Sequence, residues 1–264
     1  MFEKIRHCAK TDIGLIRHNN EDSFLIVDQS AHQDDLQRYG ALFVVADGMG
    51  GHAAGETASR MACEETVSAY YGDDATSQDR MDDRDGIIII QRLEKAIWSA
   101  HRKIVEIAKE NMELRGMGTT LTALALTTGK AFIAHVGDSR IYRCRNGSCE
   151  RMTIDHTKKQ ELIDIGEIGL EHENNHYYDY CGHIITQALG GYDDLNAVFT
   201  KVDDLRRGDV FLLSTDGLHD HVADFEIQEI LTENALPQTV CDRLVQAAIR
   251  KGGHDNITVI VIQI

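Results

Sequence analysis

The order of its β-rich and helix-periodic segments constrains this chain of 264 residues more than any other feature. Two runs rich in β-branched and aromatic residues, DSFLIVD (22–28) and ALFVVAD (41–47), end in turn formers and predict strands. Small and apolar residues then recur at helical spacing from Ala53 to Tyr71 and from Gly86 to Leu114. Ile90, Leu93, Ile97, Ala100, Ile104 and Ile107 draw one face of the second helix. GTTLTALAL, KAFIAHVGD and SRIYRCRNG follow, joined by TTGK and GDS turns, the pattern of an antiparallel meander. LNAVFTKVD and DVFLLSTD predict two further strands, residues 224–234 and 237–250 two helices, and NITVIVIQI a final strand. Strand runs and helix pairs come in blocks, which predicts a layered α+β fold and argues against a regular βαβ winding.

Two segments stand outside this pattern. GDDATSQDRMDDRD (72–85) has the charge density of a solvated surface loop. Residues 156–183 begin helix-like and then lose periodicity, as a mobile excursion does. A single proline and a length that buries a sizeable core suit one domain spanning 1–264. Forty-three acidic residues against 27 basic ones give a formal charge of -16, which argues against nucleic acid or an anionic membrane as partner. No run approaches the length of a membrane span, and the default is a cytoplasmic protein. Six cysteines without a CxxC pair read as reduced structural thiols.

Acids sit at the edges of the β runs: Glu21 and Asp22 before SFLIV, Asp47 after ALFVVA, Asp216 after DVFLLST, and Asp255 before NITVIVI. Any one of them alone reads as a turn or cap residue. Strand ends on one sheet edge converge, so together they would face one cleft. Two bare carboxylates about 4 Å apart repel by on the order of 4 kcal/mol at an effective dielectric near 20. Such a cluster calls for a counter-charge. Hard oxygen ligands without a suitably spaced histidine or thiolate select magnesium or manganese over zinc or copper. Arg17, in RHNNED, reads either as a salt-bridge partner of a neighbouring acid or as a fork for phosphate oxygens.

Several stretches match a known family in order and approximate spacing: GLIRHNNED (14–22), VVADGMGGHAAGE (44–56), GMGTTL (116–121), AHVGDSRIY (134–142), TIDHT (153–157), ITQALGG (185–191), LLSTDGLHD (212–220) and GGHDNITVI (252–260). The chain resembles the metal-dependent protein phosphatases of the PPM family, the type 2C serine/threonine phosphatases, in their compact bacterial form. The resemblance implies a four-layer α-β-β-α sandwich, with two mostly antiparallel sheets flanked by pairs of antiparallel helices. It also implies a flap subdomain at about 156–183 that helps select the protein substrate.

Carried over by motif, Asp47 resembles the carboxylate that bridges two Mn2+ or Mg2+ ions, with Asp216 and Asp255 on the first and Glu21 and the Gly48 carbonyl on the second. Asp22 resembles an outer acid of the metal centre, and Asp138 with Asp216 resembles the site of a third, weaker ion. Arg17 matches the family's phosphate-binding arginine. The implied activity is hydrolysis of phosphoserine and phosphothreonine on proteins by direct attack of a metal-bridging hydroxide, with no phospho-enzyme. The implied partners are phosphoproteins made by a serine/threonine kinase, acted on by a monomer. Met49 stands where many eukaryotic relatives carry a histidine proposed as general acid and where bacterial-type members often carry methionine, and a thioether has no proton to give. His52, nearby, is as consistent with a surface residue as with a donor.

Other readings remain at this stage. One is a catalytically weak phosphoprotein-binding or sensor module on the same fold, although such a module usually lacks some of the acids present here. Gly48, Gly50 and Ala53 satisfy G-x-G-x-x-A, but residues 66–85 do not supply the second strand of a dinucleotide fold. His172, His176 and His183 have no orderly ligand spacing for a separate metal. The acidic surface favours phosphosites within basic segments.

Overall fold

The computed structural model describes residues 5–28, 33–51, 53–72, 86–168, 176–191, 195–202 and 204–264. The first elements are β1 (Arg6–Asp12), β2 (Asp22–Val27), α1 (Gln33–Tyr39), β3 (Ala41–Met49), α2 (Ala53–Tyr71) and α3 (Ile87–Glu110). The middle of the chain forms β4 (Gly118–Thr119), β5 (Leu121–Thr127), β6 (Lys130–Val136), β7 (Arg140–Arg145), β8 (Ser148–Arg151), α4 (Lys158–Asp164) and α5 (His176–Gly182). The last part forms β9 (Val198–Val202), β10 (Val210–Ser214), α6 (Asp216–His219), α7 (Asp224–Leu231), α8 (Pro237–Arg250) and β11 (Ile257–Gln263). Among the described residues the strands make two sheets, ordered β1-β11-β10-β7-β8 and β2-β3-β5-β6-β9, with β4 paired to β3. All of their pairings are antiparallel, and the α+β expectation is met.

Period-2 alternation explains why the central strands read as almost continuous apolar runs. On β3, Leu42, Val44 and Ala46 join the core under α2 and α3, while Ala41, Phe43 and Val45 face a second core. That second core is shared with Phe211 and Leu213 of β10 and Ile260 and Ile262 of β11, so it lies between the sheets. The opposite faces of β10 and β11 turn Leu212, Ile257, Val259 and Val261 onto Val240, Leu244 and Val245 of α8. Each such side chain contributes about 1.5–3 kcal/mol by leaving water.

The helices are held by specific polar contacts as well. Arg92 of α3 is buried; its guanidinium donates to the carbonyl of Tyr70 at 2.7 Å and to the hydroxyl of Tyr39 at 2.7 Å. It also lies 3.7 Å from the Tyr39 ring centroid, tying α1, α2 and α3 together. The α2 and α8 boundaries coincide with the sequence expectation, and the predicted 86–114 helix becomes α3 followed by a 3-10 turn at Met112–Leu114.

Several expectations need correction. The meander breaks after β6: β7 pairs with β10 and β8 and belongs to the other sheet. Gly137, at φ 108, supplies the backbone turn between them. The strand β1 and the helix α1 were not foreseen, since RHCAKTD and QDDLQRY lack a clean apolar period. The excursion at 156–183 is not aperiodic throughout, because His176–Gly182 forms α5. Residues 73–85 and 169–175, on which the loop reading and His172 fall, lie outside the described residues. Cys144 and Cys149 oppose each other across β7 and β8 with their sulfurs in contact. Cys8, Cys63, Cys181 and Cys241 are free thiols.

Candidate metal and phosphate site

Strand register gathers the acids. Asp22 at the start of β2 lies directly opposite Asp47 on β3. Asp216 follows the end of β10 as the first residue of α6, and Asp255 precedes β11, the strand beside β10. Asp138 sits in the turn between β6 and β7. Glu21 is one residue from β2, and its carbonyl accepts a hydrogen bond from the Gly48 amide at 3.1 Å. The structure therefore brings Glu21, Asp22, Asp47, Gly48, Asp216 and Asp255 to one end of the two sheets, with Asp138 adjoining.

Backbone contacts, more than side-chain ones, fix these positions. The Asp47 amide donates to the Thr120 hydroxyl at 2.9 Å, and its carbonyl accepts from the Thr120 amide at 2.9 Å and the Thr119 hydroxyl at 2.8 Å. Gly48 cannot carry a side chain, because a Cβ there would meet the Gly55 carbonyl oxygen at 2.1 Å and the Glu21 carbonyl oxygen at 2.7 Å. A Cβ on Gly55, in the first turn of α2, would meet the Glu21 carboxylate at 2.0 Å. Two glycines thus let β3, α2 and Glu21 meet at one point.

The oxygens of the cluster are incompletely satisfied. Asp22 accepts from the Thr215 hydroxyl at 2.8 Å with one oxygen, and its other oxygen is buried without a partner. Asp138 and Asp216 each bury an unpartnered Oδ1 as well. Burial and the charges of Asp216 and Asp255 push the Asp22 carboxyl up to about 7, against the pull of Thr258 and Thr215. Asp216 rises to about 7 from burial and the charges of Asp220 and Asp255. Asp47 and Asp138 are driven well above the carboxylate range, by burial and then by Asp216.

No three of these side chains already close on a single point among the described residues. Asp22 turns one oxygen to Thr215, and Asp255 turns one to Arg17. The donor set nonetheless fits hard divalent cations: it is all oxygen, several of its buried oxygens lack donors, and its mutual repulsion favours added positive charge. A neutral or anionic ligand would leave that repulsion in place.

Arg17 projects from the loop after β1, and its Nη2 lies 2.5 Å from the Asp255 carboxylate. This pair matches the salt-bridge reading and also sets a guanidinium at the rim of the acid cluster. The Arg17 guanidinium is held further toward its charged form, by the Asp255 hydrogen bond first. Met49 packs on Gly118 of β4, where a Cβ would lie 3.3 Å from its Cγ. His52 lies outside the described residues.

Sequence reading missed three contributors. Asn256, 4% exposed, accepts from the Glu21 amide at 2.8 Å and donates to the carbonyls of Ile13 and Asn19 at 3.0 Å each, holding the Arg17 loop and Glu21 together. Thr215 positions Asp22 and also accepts from the Thr258 amide at 3.0 Å. Asp220 adds charge beside Asp216 and Asp138 and pairs with His183 of the excursion at 3.3 Å. Asp220 stands in LLSTDGLHD, four residues after Asp216, and that one-turn spacing was the available signal.

The chain is similar to known proteins along most of its length. The family model described as Protein phosphatase 2C matches residues 23–247. The serine/threonine phosphatase stp of Listeria innocua is 35% identical over 256 residues, covering 96% of this chain and 94% of its own length. The serine/threonine protein phosphatase PstP of Mycobacterium tuberculosis is 34% identical over 257 residues, 97% of this chain, and the chain spans 44% of that relative's length. A solved structure of the catalytic domain of PstP, in complex with two manganese ions, superposes with a TM-score of 0.78 at 35% identity, covering 98% of this chain and 97% of that one. With a match across most of its length, and acids gathered where two sheets end, the chain belongs to the protein phosphatase 2C family.

Proposed function

We propose that this chain is a metal-dependent phosphatase that hydrolyses phosphoserine and phosphothreonine on proteins. The observation that carries the reading is the group of buried carboxylate oxygens without donors on Asp22, Asp138 and Asp216, beside Asp47 and below Arg17. Asp47, Asp216 and Asp255 would hold one divalent ion, and Asp47, Glu21 and the Gly48 carbonyl a second. Asp22 would be the outer acid of the centre, and Asp138 with Asp216 would form a weaker third position. When bound, such ions neutralise phosphoryl charge and lower the pKa of water toward neutrality. Manganese is the proposed ion, since PstP is described with two of them, although the oxygen set also takes magnesium.

Arg17 binds and orients the phosphate, its guanidinium fork suited to two oxygens at once. Asn256 and Thr215 keep Glu21 and Asp22 in place. Met49 gives no proton, so the leaving oxygen is protonated by water. The chain works as a single-domain monomer in the cytoplasm, with 156–183 as a flap, on substrates of a serine/threonine kinase, and binds neither nucleic acid nor membrane. Among the described residues no helix is long and apolar enough to cross a membrane. A sensor module would tolerate loss of a bridging acid, and none is lost here.

Turnover of an aryl phosphate and of a phosphothreonine peptide, with manganese and then with excess chelator, tests the proposal. Manganese-dependent turnover that falls at least about a hundredfold in Asp47→Asn supports it. Turnover unaffected by chelator, or by that substitution, contradicts it.

A further inference from the structure

The C-terminal end of α3 borders a cavity of about 490 Å3 that the proposed chemistry does not use. Val105, Ala108 and Met112 supply its apolar wall, Gly116 part of its rim, and Lys109 and Arg115 its ionisable groups. Neither cation has an ion-pair partner among the described residues, and the acids of the same stretch, Glu106, Glu110 and Glu113, do not line the cavity. Lys109 lies in the last turn of α3, where a cation complements the helix dipole. Arg115 lies beyond the helix and has no such role. Met112 is 85% exposed, an unbranched apolar side chain left open on the surface.

This groove adjoins the metal-cradling turn. A Cβ on Gly50 would lie 3.1 Å from the Met117 Cα and 3.3 Å from the Gly116 carbonyl oxygen, so the groove rim touches the residues that follow Met49. At about 3.3 Å per residue, the three residues from Asp47 to Gly50 span roughly 10 Å. An extended peptide covers that distance in about three residues as well. The chain as a whole carries -16, but at physiological salt the screening length is about 8 Å, so distant acids are screened; Glu106, Glu110 and Glu113 oppose the cations from nearby, and the pull on an acidic ligand comes from Lys109 and Arg115 because they, and not those acids, line the groove.

Resting on the phosphatase reading, we propose that this groove binds the substrate protein through an acidic side chain about three or four residues from the phosphorylated serine or threonine, its aliphatic stem on Met112 and Val105. The groove thereby selects phosphosites with a nearby acid, against the general preference for basic segments that the acidic surface predicts.

Phosphothreonine peptides with glutamate, alanine or lysine at the third and fourth positions on either side, assayed beside an aryl phosphate with manganese, test this. The expected result is a kcat/KM for the glutamate peptide roughly three- to tenfold above the alanine peptide, expressed in KM and shrinking at high salt. Lys109→Ala with Arg115→Ala removes that ratio and leaves aryl phosphate turnover unchanged. Lys109→Glu with Arg115→Glu shifts the preference to the lysine peptide, a reversal that simple loss of stability does not produce. Aryl phosphate turnover without a preference for glutamate, or a preference that survives both double variants, overturns the groove assignment alone. A concentration-dependent dimer dissolved by Lys109→Glu, without any peptide preference, overturns it in favour of a second copy. Absence of turnover on every substrate overturns the phosphatase reading and this proposal with it.

Discussion

At the scale of single residues, the acids at the strand ends were legible because turn chemistry puts acids there and the strands bring them together. Asn256 was not: its bonds reach Glu21, Ile13 and Asn19 at sequence separations of 235, 243 and 237, and nothing local marks that role. His135 shows a buried titratable group outside the acid cluster. Its Nε2 donates to the Ile154 carbonyl at 3.1 Å and its Nδ1 faces the Thr122 hydroxyl at 2.9 Å. Burial first, and then His156, push its pKa down to about 3. The folded state therefore prefers the neutral ring, whereas the unfolded chain takes up a proton near pH 6.5. Stability is kept above about 6.5 and lost as pH falls toward 3, by a total on the order of 4 kcal/mol. Denaturant melts of the wild type and of His135→Gln, which keeps a donor toward Ile154, should converge between pH 6.5 and 4 from a higher wild-type value at pH 7. Parallel curves would contradict this.

At the scale of elements, helices α2, α3 and α8 were readable because their apolar periods are long and unbroken. The departure of β7 to the other sheet was not, because it depends on the turn at Gly137 and on a partner strand, β10, about 70 residues later. The junction of α2 with β3 makes its own prediction. Gly55→Ala places a methyl 2.0 Å from the flexible end of Glu21, which can swing away, and 3.0 Å from the Gly48 backbone carbon, which must give by a few tenths of an ångström; the gain in helix propensity of up to about 1 kcal/mol offsets that milder crowding. Thermal stability in chelator should therefore change little, while the manganese dependence of activity moves to at least about tenfold higher concentration as Glu21 leaves its place. Gly48→Ala meets backbone far more closely, 2.1 Å from the Gly55 carbonyl oxygen, and should cost about 1–3 kcal/mol even in chelator. Equal effects of the two substitutions on stability would contradict the geometry.

At the scale of the whole molecule, the fold class was legible from the block order of strands and helices, and the family from motifs spread over the chain. The contact of Cys144 with Cys149 was legible in neither, since it depends on the register of β7 against β8. The two sheets meet at an end where charge repulsion is concentrated, so divalent ions should stabilise the entire domain. At a concentration a hundred times its dissociation constant, each bound ion adds about 2.7 kcal/mol, or roughly 5–10 °C in melting temperature for a domain of this size. The most direct measurement is a calorimetric titration of the chelator-treated protein with manganese at pH 7, in buffers of different ionisation enthalpy. The account predicts at least two ions bound, with protons released from the acids whose pKa values are raised, and loss of one ion in Asp216→Asn. Absence of manganese binding, or a titration that Asp216→Asn leaves unchanged, would contradict it.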